Sequence, residues 1–142
     1  MLPNCPILFA EDDKLDQKSM QRAFKDLKIT NPLVIVENGK EALDYLKNSG
    51  NKSPCLILLD LNMPIMNGIE FLRAAKKDQN LNGIPVVVLT TSKEEQDETE
   101  SFQLGVTGYM IKPVDYKQFV EVIRTIHLYW TLSITPPPQV DE

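Results

Sequence analysis

Apolar residues recur along the chain in short unbroken runs, each closed by polar or charged residues and followed by a longer amphipathic stretch. The clearest run is Cys55-Leu56-Ile57-Leu58-Leu59, which leads straight into Asp60-Leu61-Asn62-Met63-Pro64 and then Gly68. A half-exposed strand alternates apolar and polar positions, so an unbroken run bounded by turn residues reads as a strand covered on both faces of a parallel sheet. Ile7-Leu8-Phe9-Ala10 repeats the design and ends on Glu11-Asp12-Asp13; Leu33-Val34-Ile35-Val36, Val86-Val87-Val88-Leu89 and Tyr109-Met110-Ile111 are the further strand candidates. Between them lie helical patterns. Leu15, Met20, Ala23, Phe24 and Leu27 form an apolar stripe with Lys18, Gln21, Arg22 and Lys25 facing water. Ala42, Leu43 and Leu46 follow the Asn38-Gly39 turn, Ile69, Leu72 and Ala75 follow the capping candidate Asn67, residues 93–100 make a solvated helix, and a last helix spans about 115–130.

Strand and helix thus alternate through five units, which predicts right-handed crossovers and a doubly wound α/β fold: a five-stranded parallel sheet with helices on both faces. In such sheets ligands bind outside the carboxyl ends of the strands. That edge collects Glu11, Asp12, Asp60, Thr90 and Lys112. Taken alone, Asp60 would serve equally well to open a turn; its companions change the reading. Clustered carboxylates repel one another unless a cation sits among them, and an all-oxygen donor set suits a hard divalent ion such as Mg²⁺. A carboxylate to attack phosphorus, a metal, a lysine for developing charge and a hydroxyl to hold the product are the parts that phosphoryl transfer uses.

Composition narrows the picture without redirecting it. The 142 residues suffice for one domain, and 42% hydrophobic with 25% charged residues is the ordinary globular balance. A net charge of -5 argues against nucleic acid or an anionic membrane as partner, and neither a signal peptide nor an apolar run of membrane-spanning length is evident, so a cytoplasmic protein is expected. Cys5 and Cys55 have no metal-site spacing and read as buried thiols, although each precedes an apolar run at the same end of neighbouring strands, where a redox link is open to them.

At this point the motifs carry a resemblance. Phe9-Ala10-Glu11-Asp12-Asp13, Leu59-Asp60-Leu61-Asn62-Met63-Pro64 with Asn67-Gly68, Val88-Leu89-Thr90-Thr91-Ser92 and Gly108-Tyr109-Met110-Ile111-Lys112-Pro113 occur in this order over residues 6–126. The chain resembles the receiver domain of two-component response regulators, whose fold is flavodoxin-like with strand order 2-1-3-4-5. The resemblance implies Asp60 as phosphoacceptor and Mg²⁺ held by Glu11, Asp12, Asp60 and the backbone carbonyl of Asn62, Asp12 directly and Glu11 through water. It also implies Thr90 as switch hydroxyl, Tyr109 as switch aromatic, and Lys112 as phosphate-pairing cation aimed by a Lys112-Pro113 bond that is often cis. The implied partners are a sensor histidine kinase and a downstream protein, with no nucleic-acid-binding element after residue 126. Within the family, the Glu-Asp-Asp-x-x-Asp pattern from Glu11 to Asp16, the Leu89-Thr90-Thr91-Ser92 strand end and the aromatic-rich last helix resemble stand-alone regulators paired with bacterial phytochromes.

Residues 1–132 are accordingly expected to form the receiver domain, with 133–142, including Pro136-Pro137-Pro138, an extended or disordered tail. Asp13 reads either as a site acid or as a helix cap, His127 as an ordinary helix residue, and Met63, Met66 and Met110 as packing. On the last helix Phe119, Ile123, Ile126 and Trp130 form the docking stripe, while Leu128 and Leu132 project away and Val122 and Tyr129 lie on a flank. Surplus apolar surface predicts a homodimer, and the resemblance implies pairing through the fourth helix, fifth strand and fifth helix; a tail folding back over the surface is the alternative. Two other function classes fit the fold. A flavodoxin-like electron carrier needs a phosphate-cradling loop after the first strand, where this chain places three acids. A pseudo-receiver that never takes phosphate would lack site residues that are intact here.

Overall fold

The computed structural model describes residues 4–132. The proline-containing segment 133–142 lies outside the described residues. Strands β1 (Ile7–Ala10), β2 (Leu33–Val36), β3 (Leu56–Leu59), β4 (Val86–Thr90) and β5 (Gly108–Ile111) alternate with helices α1 (Lys14–Asp26), α2 (Gly39–Lys47), α3 (Gly68–Lys76), α4 (Glu95–Gln103) and α5 (Tyr116–Leu132). All pairings are parallel, and the sheet order is β2-β1-β3-β4-β5, as expected.

The runs of β1, β3 and β4 are buried on both faces, since alternate side chains point to opposite layers, whereas those of the edge strands β2 and β5 are largely half-buried. Leu8, Ala10, Ile57, Leu59, Val86 and Val88 pack with Leu43, Phe71, Leu72 and Ala75 of α2 and α3. Ile7, Phe9, Leu56, Leu58, Val87 and Leu89 pack on the other face with Met20, Ala23 and Phe24 of α1 and with Phe119, Ile123, Ile126 and Trp130 of α5. The α5 docking stripe is therefore the one its spacing predicts. Met63 is buried, and Met66 and Met110 pack against the two layers.

Three expectations are corrected. Leu15 is 74% exposed instead of joining the α1 stripe; at about 100° per residue it lies roughly opposite Phe24, so the α1 face that meets the sheet turns it to solvent. Val122 is half-buried against the α1/α5 layer and contributes little to the exposed flank. No cis peptide bond occurs among the described residues, so Lys112-Pro113 is trans, the isomer favoured by about 0.5–1 kcal/mol in X-Pro bonds. The ambiguity at Asp13 is settled locally: its carboxylate accepts from the backbone N–H groups of Leu15 (2.8 Å) and Asp16 (3.3 Å) and caps α1. Both cysteine thiols are free.

The loop from β3 to α3 is held by backbone alone in places. Gly68 N–H donates to the Leu61 carbonyl (3.0 Å) and Gly39 N–H to that of Met66 (2.8 Å). A Cβ on Gly68 would lie 2.6 Å from the Asp60 carbonyl oxygen and 2.8 Å from Leu61 Cα, leaving no flexible neighbour to yield. A capping box follows at once, Asn67 and Glu70 exchanging side-chain and backbone hydrogen bonds. Gly68→Ala is expected to cost about 1–3 kcal/mol in urea unfolding, since backbone must move to admit the methyl group. Gly83→Ala, which meets nothing within 4 Å, is the control and should stay within about 0.5 kcal/mol. A neutral Gly68→Ala would show that the loop is not fixed by this close approach.

Candidate phosphorylation and metal site

Strand register brings the predicted residues together. Ala10 lies opposite Leu59, so β1 and β3 deliver Glu11 and Asp60 side by side. The ladder continues one step past the strands: Asp60 N–H donates to the Ala10 carbonyl (3.0 Å) and Glu11 N–H to that of Val36 (2.9 Å). Thr90 closes β4 opposite Ile111, and Lys112 N–H donates to the Thr90 carbonyl at 2.7 Å. Rigid sheet, not loop, thus fixes the backbone beneath these side chains.

Glu11, Asp12 and Asp60 each offer a carboxylate oxygen, and these oxygens lie within 4.8 Å of one another. Glu11 and Asp60 are buried while Asp12 is exposed. Asp60 Oδ1 is buried without any hydrogen-bond partner. An unpaired buried carboxylate oxygen is costly unless a cation or donor reaches it. The donor set is all oxygen, one side is open to water at Asp12, and Asp60, a member of the cluster, has an oxygen left without a partner; the residues fit a hard divalent ion. Asn62 is exposed in the loop two residues beyond Asp60. Asp13, occupied in capping α1, is not among the clustered acids.

The local cation is Lys112. Its buried ammonium donates to Glu11 and, at 2.7 Å, to Asp16 Oδ2. Burial pushes the Glu11 carboxyl up to about 8, with the Asp60 charge adding to the rise and the Lys112 ammonium opposing it. Burial also acts to lower Lys112, yet its hydrogen bonds to Asp16 and Glu11 outweigh that and raise it, so the ammonium keeps its proton.

Two participants escaped sequence reasoning. Asp16 was noted only as part of a pattern, yet one helical turn places it on the lysine; the signal was an acid at the third helical position after a capping Asp. Ser92 is the other. Its N–H donates to the Thr90 hydroxyl (3.3 Å), its carbonyl accepts from the Tyr109 phenol (3.0 Å), and its hydroxyl donates to Asp97 in the first turn of α4 (2.6 Å). Tyr109 is half-buried, with its ring centroid 6.5 Å from that of Phe102. His127 is half-buried on α5, lining a small apolar space with Ile7, Phe24 and Leu56, and burial lowers its imidazole.

A five-stranded parallel sheet carrying a buried acidic cluster, a hydroxyl and a lysine along one edge defines a phosphoryl-accepting switch domain. The response regulator receiver domain family matches residues 7–124, and the chain belongs to it. Response regulator Rcp1 of Synechocystis sp. is 37% identical over 135 residues, covering 92% of each chain. The Mn(2+)-bound structure of Rcp1 superimposes with a TM-score of 0.85 at 36% identity, over 94% of this chain and 99% of that one. The phosphorylated cyanobacterial phytochrome response regulator RcpA gives 0.87 at 36% identity, over 94% and 99%. The bacteriophytochrome response regulator RtBRR gives 0.74 at 40% identity, over 95% and 85%. The described residues therefore form a two-component receiver domain, which takes a phosphoryl group from a histidine kinase onto an aspartate and uses Mg²⁺. No helix among the described residues is long and apolar enough to cross a membrane.

The raised Glu11 carboxyl carries a sign. Between its ordinary value of 4.5 and about 8 the folded state binds a proton that the unfolded chain has released, so Glu11's stabilising contribution is full below 4.5 and is lost as pH rises through about 8. The metal-free protein should therefore lose thermal stability as pH rises across that window, and Glu11→Gln should flatten the loss. Stabilisation by added Mg²⁺ should grow over the same window, because the ion requires the ionised carboxylate. A metal-free profile in which Glu11→Gln loses stability just as wild type does would refute the assignment.

Proposed function

We propose that Asp60 is the phosphoacceptor, that Glu11, Asp12, Asp60 and the Asn62 carbonyl hold Mg²⁺, and that Thr90, Tyr109 and Lys112 read and stabilise the phosphoryl group. The observation that carries this reading is the buried Asp60 carboxylate whose Oδ1 has no partner, placed beside two further acids and within the field of Lys112. An Asp60 oxygen forms the new bond to phosphorus while the bond from phosphorus to the donor histidine's nitrogen breaks, and the electron pair leaves with the imidazole. When bound, the divalent ion neutralises charge on the phosphoryl oxygens. Lys112 supplies a buried cation that needs no reorganisation from solvent, and the Thr90 hydroxyl, fully buried at the end of β4, is a neutral donor for a phosphoryl oxygen.

The histidine kinase partner is, on this reading, of the phytochrome type, in keeping with the relatives named above. The output is a protein contact, and a homodimer through α4, β5 and α5 is its first form. Leu128 (48%), Tyr129 (60%) and Leu132 (78%) are exposed on the outer face of α5, and Phe102 of α4 and Ile111 of β5 extend the apolar surface.

Intact-mass measurement after incubation with Mg²⁺ and acetyl phosphate should show one phosphoryl adduct in wild type and none in Asp60→Asn; an unchanged adduct in that variant would place the acceptor elsewhere. Thr90→Ala should still be labelled but respond weakly in partner binding, since one charge-assisted hydrogen bond of about 1.5–3 kcal/mol is removed. Loss of labelling in Thr90→Ala would give that hydroxyl a direct chemical role instead. In sedimentation, wild type should dimerise at tens of micromolar, at least when phosphorylated, and a Leu128→Glu, Tyr129→Glu variant should not; a wild type that stays monomeric in both states would defeat the dimer.

A further inference from the structure

Lys112 is the cation that a phosphoryl group on Asp60 would need, yet in this structure it is held elsewhere. Its ion pairs are with Glu11 and Asp16, none joins it to Asp60, and Asp60 Oδ1 is left without a donor. An ammonium has three N–H groups, so two are committed before any phosphoryl arrives. Of the two acids, Glu11 belongs to the metal cluster and Asp16 does not. Asp16 comes from the first turn of α1, fixed there by the Asp13 cap, and its side chain is 29% exposed where that of Lys112 is 7%.

We propose that Asp16 is a positioning residue that competes with a phosphoryl group on Asp60 for the Lys112 ammonium, and thereby sets how tightly the phosphorylated state is held. The inference rests on the assignment of Lys112 as the phosphoryl-pairing cation. To reach the phosphoryl oxygens the ammonium must turn from α1 toward β3, and the bond it gives up is the one to Asp16, because Glu11 directly follows β1, the strand between β2 and β3, and its backbone is held beside Asp60 by the ladder. Phosphoryl binding therefore trades one charge-assisted hydrogen bond for another instead of adding one. A purely structural role for Asp16 is also visible: a carboxylate in a first helical turn is favoured by the helix dipole. That role predicts a loss of stability on substitution and no change in phosphoryl affinity.

The two are separated with the full chain and Mg²⁺, using beryllium fluoride as the phosphoryl probe and calorimetry as readout. Asp16→Asn, which keeps size and removes charge, should bind the probe more tightly, about three- to tenfold given that 1.4 kcal/mol is a factor of ten. Asp16→Ser should do the same, and Asp16→Glu should return affinity toward wild type. In the Lys112→Ala background the Asp16→Asn gain should vanish. Unchanged or weakened binding by Asp16→Asn, or a gain that survives removal of Lys112, overturns the proposal. If Lys112→Ala itself bound the probe as tightly as wild type, the Lys112 assignment would fail and the inference with it; if Lys112→Ala weakened binding while Asp16→Asn left it unchanged, Asp16 alone would fall.

Discussion

Desolvated negative charge at one sheet edge is the constraint on which this molecule turns. Glu11 and Asp60 are both buried, they emerge from adjacent strands, and the ladder that places them is formed by backbone that has no freedom to spread them apart. Burying two carboxyls side by side penalises their charged forms, which is why the Glu11 carboxyl is pushed up to about 8. The compensation is drawn from as far away in sequence as the fold allows: Lys112, from the end of β5, crosses the edge to reach acids near the amino terminus. Asp60 Oδ1 is left over. An unpaired buried carboxylate oxygen leaves desolvation uncompensated at the edge until a cation or donor reaches it.

That edge holds its shape because the sheet beneath it is covered on both sides. The central strand β3 gives alternate residues to the α2/α3 layer and to the α1/α5 layer, so neither its register nor its end can slip without exposing a whole face. Gly68 matters for the same reason. Its missing Cβ lets the chain return within contact distance of the Asp60 carbonyl, closing the loop that contains Asn62.

Where side chains act one by one, their meaning is legible in sequence; where they act through a partner, it is not. The buried runs and the residues ending them needed only periodicity and topology, which is why the parallel sheet, the α5 stripe and the placement of Glu11, Asp12, Asp60, Thr90 and Lys112 follow from the chain alone, while the strand order came from the family resemblance. Leu15 was misplaced because an apolar residue at a helix start satisfies a loose stripe while pointing roughly opposite Phe24. Asp13 stayed ambiguous because an acid before a helix serves equally as cap or ligand until hydrogen bonds decide it. Asp16 and Ser92 were passed over since their roles depend on which backbone or side chain the fold sets opposite them, and neither residue type at its position announces that.

Ser92 shows how the edge is joined to the outer surface. Three hydrogen bonds converge on this one residue: its N–H on the Thr90 hydroxyl, its carbonyl beneath the Tyr109 phenol, and its hydroxyl on Asp97 at the start of α4. The Thr90 hydroxyl accepts from Ser92 N–H and keeps its own proton to donate. Ser92 thereby ties the end of β4 to Tyr109 and to α4, whose first residues have no side-chain cap of their own and carry Glu95, Asp97 and Glu98. With only Ser101 buried along its length, α4 has the fewest buried residues of the five helices. The buried Thr90 hydroxyl at the sheet edge and the exposed start of α4 are therefore joined through the hydrogen bonds of one residue, without any contribution from the helical layers.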